Sequence, residues 1–145
     1  MGAKLHVAAQ YLRPGNGGIA EVARVSMKAL ARRGPVQGHA CLETQDYAVE
    51  TAPVRAYGSR PRFLLGLERA SLSGGRFLYD FAGTARVASL LWPRRPYAVW
   101  AHGIEVWDAV RADRRRALER ADLVLVNSAY TRDRASPTLG GLRDV

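Results

Sequence analysis

Short apolar runs alternate with longer amphipathic stretches along almost the whole chain, and this alternation constrains the fold more than any other feature. Leu5-His6-Val7-Ala8-Ala9 reads as a buried strand. Gly15-Asn16-Gly17-Gly18 then breaks the chain. Residues 19–33 place Ile19, Val22, Ala23, Ser26 and Leu30 on one face at helical spacing, and Gly34-Pro35 stops that helix. Strands are expected over residues 36–42 and 54–57, and a short helix over 61–71 before the turn Ser73-Gly74-Gly75. A strand over 76–79 precedes a helix over 83–91. Pro93 and Pro96 bracket a loop, followed by a strand over 97–101 and a helix over 106–120. Leu123-Val124-Leu125-Val126 is continuous and rich in branched residues, as parallel strands buried on both faces are. A last helix begins near Ala129.

Strands that alternate with helices imply right-handed βαβ units, hence an α/β chain. The expected fold is a Rossmann-like, three-layer α/β/α sandwich with a mostly parallel sheet. Ligands of such sheets bind at the carboxyl ends of the strands, which ranks the motifs. A length of 145 residues fits one domain with a real core. No run of about 18 apolar residues offers a membrane span. The stretch from Met1 to Ala9 is too short, and too soon followed by Gln10 and Arg13, for a signal peptide. Cys41 is the single cysteine, so no internal disulfide forms and a reducing, cytoplasmic setting is permitted. The chain stops at Leu142-Arg143-Asp144-Val145 after a Gly-Gly turn, which is expected of an interrupted rather than a finished domain.

The net charge of +9 favours acidic partners such as nucleotides, phosphate groups or an anionic membrane surface. Basic and aromatic residues do not interleave, so nucleic acid is not expected. Arg111, Arg114, Arg115, Arg116 and Arg120 read as one solvated helix face. His6, His39, His102 and Cys41 show no metal-ligand spacing. His6 and His39 fall within strands, as satisfied core or edge residues do.

Four constellations carry chemistry. Pro14-Gly15-Asn16-Gly17-Gly18-Ile19-Ala20 joins a strand to a helix, either as a simple turn or as a phosphate site, where glycine admits close approach and free N–H groups meet an anion. Gly15-x-Gly17-x-x-Ala20 also matches a dinucleotide fingerprint, with Glu43 in the position of a ribose-binding acid. Residues 10–14, however, separate the first glycine from the strand. Ala101-His102-Gly103-Ile104-Glu105 follows a strand directly and points an imidazole and a carboxylate at the cleft, where His102 reads either as a group that bonds sugar hydroxyls or transfers protons or as a histidine paired to backbone in a loop. Asn127 and Ser128 follow the strand at 123–126, where either a helix cap or a ligand contact fits, and Asp122 positions the start of that strand. Asp80, between a strand and a helix, reads as a cap or as a ligand for hydroxyl groups.

In order and in residues these blocks resemble the family 4 glycosyltransferases, which have the GT-B fold. The blocks are Gly17-Gly18-Ile19 opening a helix that ends in Ala29-Leu30-Ala31-Arg32-Arg33-Gly34, Asp80-Phe81-Ala82-Gly83, and His102-Gly103-Ile104-Glu105-Val106-Trp107. Arg116 to Asp122, leading into Leu123 to Arg132, completes the series. The resemblance implies one half of a GT-B enzyme: residues 1–145 as an N-terminal, acceptor-side domain, its C-terminal donor-binding domain and Glu-x7-Glu motif absent. It implies retaining transfer of a sugar from a nucleotide-sugar donor to a glycan, lipid-linked or small-molecule acceptor, with no required metal or other cofactor. His102 would contact the transferred sugar as the catalytic residue, and Gly17 and Gly18 would lie near the donor diphosphate. Asp80, Gly103, Glu105, Asn127 and Ser128 would line the substrate cleft. Glu105 departs from the family, where aspartate is frequent. The location implied is cytoplasmic, peripheral at the inner membrane face, and the domain alone is expected to be inactive. The alternatives are a dinucleotide-binding domain of an oxidoreductase and a stand-alone binding domain.

Overall fold

A computed structural model describes residues 4–107 and 110–139. Its strands are β1 (Leu5–Ala9), β2 (Val36–Ala40), β3 (Tyr47–Val49), β4 (Ala52–Ala56), β5 (Arg76–Tyr79), β6 (Tyr97–Ala101) and β7 (Leu123–Val126). Its helices are α1 (Gly17–Ala31), α2 (Arg60–Leu72), α3 (Ala82–Ala85), α4 (Ile104–Trp107), α5 (Ala112–Glu119) and α6 (Ala129–Leu139), with a 3₁₀ turn at Arg86–Ser89. The chain is therefore α/β, with one seven-stranded sheet in the order β3-β4-β2-β1-β5-β6-β7. Among the described residues only β3 runs antiparallel to its neighbour. Helices flank both faces, as a Rossmann-like three-layer fold requires.

The handedness of the crossovers decides which helix lies where. From β1 the chain steps outward to β2 through α1. From β4 it crosses back over β2 and β1 to β5 through α2, then continues outward to β6 and β7. Right-handed crossovers in opposite directions put their helices on opposite faces. Accordingly α1 packs on Val7, Ala9, Val36, Ala40 and Val54. The other helices pack on Ala8, Phe77, Tyr79, Val99 and Ala101.

Several boundaries differ from the sequence expectation. The buried face of α1 is Ala20, Ala23 and Met27, while Ile19 is over a third exposed. Small residues let the helix settle on the sheet, where Met27 fills the space above Gly38. The helix expected over 83–91 is a single turn and a 3₁₀ turn, and the one over 106–120 is two helices, with residues 108–109 outside the described part. The Gly-Gly turn and the chain end also lie outside it. β3 has no counterpart in the sequence pattern: Glu50, at φ 55, turns the chain into a hairpin with β4. β7 is not buried on both faces. It is the edge strand, with Leu123 37% exposed, and a shallow apolar depression of about 530 Å³ lies over Leu78, Ala98, Leu123 and Leu125. Among the described residues no helix covers that part of the sheet, because every later crossover runs on the α2 side.

Candidate functional site

Strand order reverses at β1, whose neighbours are β2 and β5. The connections that leave the carboxyl ends of β1 and β5 therefore run in opposite directions there, the position at which sheets of this kind form a ligand crevice. Asp80 follows β5 and joins the two sides. Its N–H donates to Ala8 O at 3.1 Å, and its Oδ2 accepts the Gln10 N–H at 2.9 Å. Asp80 does not cap a helix: α3 has no side-chain cap. The side chain is 2% exposed, and burial pushes its carboxyl up to about 7 against the pull of the Thr84 hydroxyl and the backbone amides.

His102 follows β6 and meets Asp80 from the other side. Its Nε2 lies 2.7 Å from Asp80 O. A carbonyl only accepts, so Nε2 carries the proton and Nδ1 is left as the acceptor of the ring. Burial lowers the imidazole pKa, which favours that neutral form. Trp100 stacks on the ring with centroids 6.0 Å apart. Glu105 folds back, its Oε1 accepting the His102 N–H at 2.8 Å, and burial raises its pKa. Gly103 has φ 39, and a Cβ there would stand 3.2 Å from Trp107. Its glycine thus follows from backbone and packing alone.

The glycine-rich loop leaves the carboxyl end of β1 and opens α1. Glu43, after β2, clamps it: Oε1 accepts the N–H groups of both Leu12 and Arg13 at 2.8 Å. This assigns Glu43 a structural task in place of the ribose contact that its position suggested. Gly15 and Gly17 adopt φ 86 and φ 89, where only glycine is comfortable. Gly18 has neither positive φ nor any atom within 4 Å of a Cβ. At β7, Ser128 caps α6, its Oγ accepting the Thr131 N–H at 3.1 Å, while Asn127 is exposed and caps nothing. Asp122 holds the start of the strand as expected, through Tyr97 N–H to Oδ2 at 2.9 Å.

The structure thus brings Asp80, His102, Glu105 and Gly103 together and sets the loop of Gly17 and Gly18 at the same end of the sheet, with Asn127 and Ser128 at the end of the outermost strand. Gln10 and Trp100 carry no mark of the site in the sequence. Gln10 acts through its backbone, so no side-chain signal reveals it. Among the described residues no three His, Cys, Asp or Glu side chains are grouped to hold a metal ion. No described helix is long and apolar enough to cross a membrane. No family model matches the chain, and no curated protein does.

Proposed function

We propose that this chain is the acceptor-side domain of a retaining, nucleotide-sugar-dependent glycosyltransferase. The observation that carries the reading is the meeting of the Asp80 and His102 segments at the strand-order reversal, beside a glycine-rich helix start. In glycosyl transfer the sugar gathers positive charge and the leaving diphosphate gathers negative charge. The N–H groups at the start of α1 suit the diphosphate. His102, with Nδ1 as acceptor, suits a hydroxyl of the transferred sugar. Asp80 offers a carboxyl that changes charge near neutrality. Gly18 supports the same reading, because neither its φ nor its packing calls for glycine, whereas close approach of a ligand does. A donor-binding second domain completes the enzyme, and an anionic membrane surface suits the basic charge.

The dinucleotide reading is weaker. It needs a free acid after β2, and Glu43 is engaged by the loop. Amide shifts of Gly17, Gly18 and Gly103 test the choice. Saturable perturbation by UDP or GDP, with NAD weaker, supports the transferase. Tighter binding of NAD than of either diphosphate overturns it.

A further inference from the structure

A polar cavity of about 390 Å³ lies on the α2 side, toward the amino-terminal ends of β1, β2 and β4, where Lys4, Gln37 and Pro53 line it. It is separate from the Asp80–His102 crevice and independent of the transferase reading. Two buried histidines line it and form a chain. His6 Nε2 lies 3.3 Å from Gly74 O, His6 Nδ1 lies 3.1 Å from His39 Nε2, and His39 Nδ1 lies 2.9 Å from Tyr57 Oη. With both rings neutral, the Gly74 carbonyl fixes every proton. His6 donates from Nε2, His39 donates from Nε2 to His6, and Tyr57 donates inward to His39. The phenol hydrogen is then engaged by His39.

Lys4, Arg55 and Arg69 line the same cavity, and none of them forms an ion pair among the described residues. Asp46 is the one carboxylate of the wall, its Oδ1 accepting the Ala56 N–H at 2.7 Å. Tyr47, also on the wall, is directed to Glu43. The wall thus carries an excess of positive charge around a phenol whose hydrogen can turn.

We propose that this cavity binds a tetrahedral oxyanion of the sulfate or phosphate class and that binding draws one proton onto the His6–His39 pair. The proton comes from solvent. His6 then donates from both nitrogens, to Gly74 O and to His39 Nε2. His39 moves its own proton to Nδ1 and donates to Tyr57 Oη. The phenol O–H turns outward and donates to the anion. No bond to carbon changes, and each ring nitrogen keeps a partner. Burial keeps both imidazoles neutral in the absence of an anion, so the proton arrives with the ligand.

Sulfate is the probe, because its charge is constant across the useful pH range. Calorimetry in two buffers of different ionisation enthalpy reads both affinity and proton uptake. Saturable binding is expected, with uptake approaching one proton and affinity rising up to about tenfold per unit fall in pH. R55Q and R69Q change exposed side chains and should each weaken binding on the order of tenfold, with circular dichroism unchanged. Y57F should keep sulfate but lose the uptake. Absence of saturable binding, uptake that Y57F leaves intact, or binding indifferent to both arginines overturns the proposal. Anionic-phospholipid vesicles that displace sulfate assign the site to a headgroup, and vesicles that do not assign it to a free oxyanion.

Discussion

Asp80 shows how one residue ties fold to chemistry. Its folded pKa of about 7 lies above the 3.8 of an unperturbed aspartate. Between those values the folded chain holds a proton that the unfolded chain has lost, so stability falls as pH rises through that window. Asp80→Asn keeps an acceptor for Gln10 N–H and removes the charge. It should stabilise the chain at pH 8 by about 1–3 kcal/mol in denaturant unfolding and flatten the slope. A variant less stable than the parent at pH 8 would refute the assignment. The glycines separate in a similar way. Gly17→Ala meets an unfavourable φ and should cost about 1–2 kcal/mol. Gly18→Ala has room and should leave thermal unfolding nearly unchanged. On the proposed function it should nonetheless weaken nucleoside diphosphate binding several-fold in the amide titration.

At the scale of elements, the loop between β1 and α1 is held from β2 rather than by its own turn chemistry. Glu43→Ala leaves the Leu12 and Arg13 N–H groups without their acceptor. It should cost about 2–3 kcal/mol and raise amide exchange at those two residues selectively. Gly66 is fixed from outside its helix: a Cβ would fall 2.2 Å from the Tyr57 ring, so Gly66→Ala must displace that ring. The elements themselves are largely legible. Six strands stand out as short apolar runs, three of them directly after Pro35, Gly75 or Pro96, and the strand expected at 54–57 begins two residues earlier in the fold. β3 is hidden because three residues carry no period and its turn uses glutamate. The burial expected of β7 fails because Leu-Val-Leu-Val looks the same at the centre of a sheet and at its edge. Composition records what a strand tolerates, while topology decides what covers it.

For the molecule as a whole, the histidine chain makes stability sensitive to acid. His39 is lowered from 6.5 to about 3, chiefly by burial. The unfolded chain therefore takes the proton first, and stability is lost as pH falls below 6.5. His39→Asn should lower stability at pH 7 by about 1–2 kcal/mol and shrink that acid loss, as read from unfolding midpoints across pH. On the proposed function the 145-residue chain alone should show little or no sugar transfer, and robust turnover with donor and acceptor would sink that reading. The crevice is legible in outline, because the order of strands and motifs places His102 and Asp80 at strand ends. Their mutual bonding is not, since it runs through main-chain atoms that no side-chain pattern records. Trp100 is the other unmarked part. Its Nε1 donates to Ser26 Oγ on α1 at 3.1 Å while its ring stacks on His102. The helix that begins at the glycine loop and the imidazole after β6 are thus braced by a single indole. Through that one ring, a displacement of the helix start would be transmitted to the imidazole on the far side of the strand ends.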